Sequence, residues 1–238
     1  MSTILCIESG TDVCSTAIAR NGRLLSLRES TEGRQHASNL AVYVDELLKS
    51  NNMEVADIDA VAISKGPGSY TGLRIGTSLA KGLCYAQNKK LIAVSSLLSL
   101  AGVAVEDYKA GILGNFDIDD YLLCPMIDAR RMEVYTQLYD SNLNPLSDVE
   151  AIIVDENIFA EQRAAHGKKL LLFGDGASKC KEVLPSDIYK IIDVIPSARG
   201  LISAAFTNLK NADFEDIAYF EPFYLKDFVI KPSKKSFF

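Results

Sequence analysis

Residues 65–83, KGPGSYTGLRIGTSLAKGL, hold the most chemically suggestive spacing in the chain. The stretch follows an apolar run, Val61-Ala62-Ile63, and opens a helix with small residues along one side. Gly66, Gly68 and Gly72 permit tight backbone geometry, and Pro67 fixes one dihedral. Such a strand-to-helix turn brings backbone N–H groups close to a phosphate or to a partner chain. The phosphate use is the weaker of the two, because Lys65 precedes the turn and no Walker-type lysine-serine ending follows it. Histidine chemistry is scarce. The chain has two histidines, His36 and His166, in different halves, so a two-histidine metal site at helical spacing is excluded. His36 falls in the first turn of an expected helix with no serine or cysteine nucleophile placed beside it, a position that suits a polar surface or interface residue better than a base. Asp128-Ala129-Arg130 follows an expected strand; it either positions a substrate or neighbouring loop, or braces the junction between halves through an ion pair.

The elements that would carry these residues can be read from periodicity. Strands are expected at Thr3 to Glu8, Cys14 to Ala19 and Leu24 to Arg28, with Asn21-Gly22 as a type I′ hairpin turn between the second and third. Residues 35–50 form a helix with Leu40, Val44, Leu47 and Leu48 on one face. Ile58 to Ser64 is a strand, 72–88 a helix and Leu91 to Val94 a strand. The pattern then recurs: strands at Tyr121 to Ile127, Val134 to Tyr139 and Ala151 to Val154, a helix from an Asp155 cap to about Ala165, strands at Lys169 to Phe173 and Lys190 to Val194, and a helix from Ser197 to Leu209. Two successive copies imply a duplicated α/β fold of two ribonuclease-H-like halves, residues 1–103 and 104–225. Residues 226–238 form a basic tail with Lys226, Lys231, Lys234 and Lys235, for which disorder is the default expectation.

Bulk composition narrows the function classes. At 238 residues the chain has ample length for a core, and 48% hydrophobic with 24% charged residues is ordinary for a globular protein. A formal charge of −6 argues against a surface built as a whole for nucleic acid. The five cysteines have long, irregular gaps, which suits buried thiols in a reducing cytosol. No signal peptide and no membrane span are expected, so the protein is placed in the cytoplasm.

Two stacked ribonuclease-H-like halves are the layout of the acetate kinase, sugar kinase, Hsp70 and actin (ASKHA) superfamily. The specific segments point further. ILCIESGTDVCSTAI, KGPGSYTGLRIGTSLAKGL, LIAVSSLLSLA and MIDARRMEVYTQLY resemble the TsaB family, also called YeaZ, along nearly the whole chain. The resemblance implies a non-catalytic partner of TsaD. With TsaE, these proteins make threonylcarbamoyladenosine beside the anticodon of tRNAs that read ANN codons. It implies a heterodimer with TsaD, a homodimer when alone, recruitment of TsaE, and contact with tRNA only through the complex. The chemistry would reside in TsaD. ATP would belong to TsaE and the assembled complex, with no cofactor for the isolated chain. TsaD places two metal-binding histidines four residues apart after its glycine turn. Ser96 and Leu100 stand at those positions here, and neither serves as a metal ligand. The M22 glycoprotease label of the wider family thus has no support in this chain.

Glu8-Ser9-Gly10-Thr11 sits where the superfamily puts an Asp-x-Gly-Thr phosphate or metal loop, and reads as a vestigial nucleotide loop or a polar hairpin turn. Gly174-Asp175-Gly176 resembles the second-half adenosine loop, and equally a plain strand-to-helix turn. The partner surface is expected on two helices: His36, Leu40, Tyr43, Val44 and Leu47 on the first, and Gly72, Arg74, Ile75, Gly76, Leu79, Ala80 and Leu83 on the second. Gly72, Gly76 and Ala80 form a ridge of small residues at spacing four that lets another helix approach. Ile75, Leu79 and Leu83 form an apolar stripe beside it. Arg74 falls in the expected first turn of that helix, where a cation is mildly unfavourable; an acidic partner nearby would explain it, and a solvated arginine would fit as well. The principal rival is a small ASKHA-type ATP-dependent phosphotransferase that holds ATP between Glu8 and the Gly66–Gly72 turn.

Overall fold

In the computed structural model, which describes residues 1–32 and 36–226, local turn chemistry and strand burial build a five-stranded sheet first. Asn21 and Gly22 turn the chain at φ +51° and +80°, a backbone that asparagine and glycine tolerate. They join β2 (Cys14–Arg20) to β3 (Arg23–Ser30), and β2 pairs antiparallel with β1 (Thr3–Glu8). β4 (Ala60–Ser64) and β5 (Lys90–Val94) add in parallel, giving the order β3-β2-β1-β4-β5. Both β1 and β4 are buried along their whole length, as continuous apolar strands covered on two faces should be. One cover is α1 (His36–Ser50) with α2 (Tyr70–Gln87), whose Leu40, Val44, Leu47 and Ala80 join Leu5, Ile7, Val61 and Ile63 in one core.

The second sheet repeats that plan. β6 (Tyr121–Asp128), β7 (Glu133–Thr136) and β8 (Glu150–Ile153) run antiparallel, and β9 (Lys169–Phe173) and β10 (Tyr189–Ile191) add in parallel, in the order β10-β9-β6-β7-β8. The two sheets make the doubly ribonuclease-H-like, actin-type arrangement expected from the repeat. Several boundaries differ. The strand expected through Tyr139 breaks after Thr136, and Tyr139 rejoins Leu123 only through an isolated bridge. Asp155 spends its carboxylate on the Asn157 N–H at 2.8 Å, so α4 begins later, at Ala160–His166. The single helix expected from Ser197 divides into a 3₁₀ turn, Ala198–Leu201, followed by α5 (Ile202–Asn211).

A helix without a sequence expectation follows β5: α3 (Ser96–Lys109), capped by the Ser95 hydroxyl. Residue 103, the expected boundary, lies inside it, so division by chain position does not match division by core. α3 packs its Leu97, Leu100, Val103 and Ala104 against Leu123, Ile127, Leu171 and Phe173 of the second sheet. Conversely α5 returns to the first sheet, where Ile202, Ala205 and Phe206 cover Ile4, Cys6, Ala62 and Ile92. The two crossings meet at glycines: a β-carbon on Gly200 would lie 2.2 Å from the Ser99 carbonyl oxygen. Arg199 pins the crossing through ion pairs to Glu106 and Asp107, both 2.8 Å.

The chain then runs back as an extended strap. Glu215 N–H bonds the Leu91 carbonyl, Phe220 is buried in the first core, and the Lys81 ammonium holds the Ala218 and Phe220 carbonyls at 3.3 and 3.1 Å. Lys226 ends the strap in an ion pair with Glu133 of the second half. The remainder of the basic tail lies outside the described residues.

Candidate functional site

The glycine turn folds onto its own chain. A β-carbon on Gly68 would sit 2.1 Å from the Gly10 carbonyl oxygen, one on Gly72 2.1 Å from the Ser9 carbonyl, and one on Gly76 2.2 Å from Ser9 Oγ. Ser69 N–H bonds the Gly10 carbonyl at 2.6 Å, and the Ser69 hydroxyl caps α2 by accepting from Gly72 N–H. The glycines are therefore required for close packing of α2 and its turn against the Glu8–Thr11 loop. The turn's Ser69 and Gly72 N–H donors are committed within the chain.

Beneath that contact Glu8 is almost fully buried. Its Oε1 accepts the Gly10 N–H at 2.8 Å, and Oε2 has no hydrogen-bond partner. Burial pushes its carboxyl up to about 6; the Gly10 N–H and the nearby Ser64 and Ser99 hydroxyls recover part of the charge stabilisation. Ser9 is buried with its hydroxyl unpartnered, and Thr11 is buried with its hydroxyl accepting the Val13 N–H.

Above Glu8 a cleft of about 540 Å³ separates the halves. It is lined by Gly10, Thr11, Asp12, Ser69, Asp128, Arg130 and Asp175 among others, so the structure brings together four segments that the sequence singled out separately. Its electrostatics are mixed. Asp175 is raised above the ordinary carboxylate range, first by burial and further by the neighbouring Asp128 and Asp12 charges. Asp128 pairs with Lys179 at 2.9 Å, and its N–H donates to the Asp175 carboxylate at 2.9 Å. Its ion pair therefore braces the second half itself, and not the junction between halves. Gly174 at φ +96° presses on the Met126 carbonyl, and Gly176 leads into a 3₁₀ turn, Ala177–Glu182; the segment is a packed strand-to-helix turn.

The positions where TsaD carries histidines do not fit a metal. Ser96 is buried with its hydroxyl accepting the Gly66 N–H at 3.1 Å, and Leu100 is fully buried in the apolar core. Packing, not coordination, occupies both.

The expected partner surface is only partly where the sequence set it. Leu40, Val44 and Leu47 of α1, and Gly72, Gly76 and Ala80 of α2, are all buried in this chain, so they are corrected from partner contacts to core and packing residues. His36 is buried as well, its Nε2 3.0 Å from the Val13 carbonyl, which anchors the start of α1. Tyr43, Ile75, Leu79 and Leu83 are half-buried, with inner edges against the first core. Arg74 is exposed. It sits one turn into α2, because the helix starts at Tyr70 and not at Gly72.

The free side of α2 is a second ridge that the sequence reading missed. Arg74, Ser78, Gly82 and Tyr85 follow one another at helical spacing and are all exposed, Tyr85 at 85%. A β-carbon on Gly82 would meet nothing within 4 Å. The signal was present as small residues at spacing four, but two such ridges share the helix. Only the sheet decides which faces inward.

Comparison with known proteins adds a lineage. The family model described as TsaD, tRNA N6-adenosine threonylcarbamoyltransferase, matches residues 29–231. The tRNA threonylcarbamoyladenosine biosynthesis protein TsaB of Bacillus subtilis (strain 168) is 30% identical over 186 residues, 76% of this chain and 75% of that protein. The protein of the same description from Haemophilus influenzae is 31% identical over 133 residues, 56% of this chain but only 52% of its own length. Among solved structures, YeaZ from Pseudomonas aeruginosa superposes with a TM-score of 0.78 at 25% identity, over 94% of this chain and 100% of that one.

Proposed function

Because the chain belongs to the TsaB (YeaZ) family of tRNA threonylcarbamoyladenosine biosynthesis proteins, we propose that it acts in that pathway as a non-catalytic partner of TsaD. The observation that carries this reading is the free flank of α2. Ser78 and Gly82 lie between Arg74 and Tyr85 on that flank, and Gly82 has open space around it. A ridge of small residues flanked by an exposed aromatic admits a second helix at short interaxial distance and gives it an anchor. Burial of that flank against TsaD stabilises the competent conformation of TsaD. A binding partner can activate an enzyme only through such a difference in contact between two states.

In this reading TsaE joins the assembled pair, tRNA is met only through the complex, and the same flank pairs two copies when TsaD is absent. ATP belongs to the complex, and the isolated chain takes no cofactor; the self-committed Ser69 and Gly72 N–H groups of the glycine turn support that assignment. The cytoplasm is its place of work. Five buried free thiols fit that compartment, and among the described residues no helix is long and apolar enough to cross a membrane.

The test is a pull-down of TsaD and TsaE by the purified full chain. Retention of TsaD is expected, and its absence overturns the reading. The convergence of four loop segments on one cleft is what favours the rival phosphotransferase. Calorimetric titration with Mg-ATP separates the two: micromolar binding with turnover by the chain alone favours the rival.

A further inference from the structure

Arg74 is an oddity on the α2 ridge. Its neighbours there, Ser78, Gly82 and Tyr85, are uncharged. Among the described residues it forms no ion pair. Its guanidinium is nonetheless held in place. Arg74 Nη1 donates to the Tyr70 hydroxyl at 2.9 Å, and Cζ lies 5.3 Å from the centre of the Tyr70 ring. The Tyr70 ring in turn packs on Tyr224 of the strap, with centroids 4.9 Å apart. The strap itself is tied down one residue earlier, by the Phe223 N–H to the Lys65 carbonyl, and two residues later by Lys226 on Glu133. A long side chain supported by such contacts gives up less rotamer freedom on binding than an unsupported one.

If a helix covers this ridge, the Arg74 charge leaves water. An arginine buried without a counter-charge is costly, whereas one that meets a carboxylate in a fixed fork geometry is well served. We propose that Arg74, splayed by Tyr70 and Tyr224, is the charge anchor of the α2 ridge and pairs with a carboxylate on the TsaD surface that covers it. This rests on the partner reading above. It adds two things: a cation-to-carboxylate contact that fixes the register of the two helices, and a positioning role for the strap tyrosine, which acts through Tyr70.

The test uses the full chain and purified TsaD from the same organism, with affinity measured at several salt concentrations. Arg74→Glu is expected to weaken the complex by roughly 30-fold or more, since it removes one partner of a desolvated pair and opposes the other. Arg74→Ala is expected to weaken it less and to flatten the salt dependence shown by the native chain. Tyr224→Ala is expected to cost several-fold and Tyr224→Phe nothing, because the ring and not the hydroxyl supports Tyr70. A reversal of the partner carboxylate to lysine in TsaD is expected to restore binding of Arg74→Glu. A native complex that tolerates Arg74→Glu at every salt concentration overturns the proposal and leaves the partner reading intact. Failure of the native chain itself to bind TsaD overturns both.

Discussion

Gly76 and Ser9 touch so closely that a β-carbon on Gly76 would lie 2.2 Å from the Ser9 hydroxyl oxygen and 3.1 Å from its β-carbon. The contact fixes which side of α2 faces the sheet. It therefore also fixes which side remains for a partner.

Gly76→Leu is expected to damage the fold itself. A leucine there must displace Ser9 and press on Ile63, and overpacking of a tight contact costs about 3 kcal/mol or more. Thermal melting should show a large drop or an insoluble product, before any partner is added. A native-like melt would contradict the packing assigned to this glycine.

Gly82→Leu should behave in the opposite way. The site is open, and replacement of a glycine inside a helix by leucine gains up to about 1 kcal/mol of helix propensity. The variant should melt at or above the native temperature yet fail to co-elute with TsaD on size exclusion. Normal co-elution would place the partner elsewhere.

Glu8 predicts a pH dependence with a definite sign. Its folded carboxyl titrates at about 6 against an ordinary 4.5, so the folded chain binds more proton than the unfolded chain between those values. Unfolding free energy from this group then falls as pH rises through the window from 4.5 to 6, by about 2 kcal/mol, and stays at the lower level above it. Denaturant titrations of the native chain and Glu8→Gln across pH 4.5 to 7 would isolate the effect as the difference between the two curves. Parallel curves would remove Glu8 as its source.

Arg199 holds the crossing of α3 with the turn before α5 through Glu106 and Asp107. The Asp107 side chain is only 13% exposed, so its pair is screened less than a surface pair. Arg199→Ala should cost about 1–3 kcal/mol in a urea titration, and Asp107→Ala combined with it should cost less than the sum of the two single changes. Additive losses would show that the pair is not coupled.

Local signals in the chain were legible where chemistry acts at short range. Asn21-Gly22 forms its hairpin, most strands of both copies follow from short apolar runs, and the amphipathic α1 appears within a residue of its expected span. What could not be read were choices made by distant parts of the chain. α3 is apolar on most sides because it is wedged between two halves, so its sequence shows no face and no period. Both ridges of α2 carry small residues at spacing four, and the Ser9–Gly10 loop shows which of them packs inward. The cleft drew Gly10, Ser69, Asp128 and Asp175 together from four loops that share no spacing. The strap has no regular structure to announce it, yet it carries Phe220 into the core and Tyr224 onto Tyr70.

α3 closes the interior of the second sheet and α5 that of the first, so each half wears a wall encoded in its sibling's stretch of chain. A chain whose halves are walled in this way cannot be split into two self-sufficient products. A nick or stop codon between the sheets should leave two fragments with raw apolar faces, and degradation of one should doom the other.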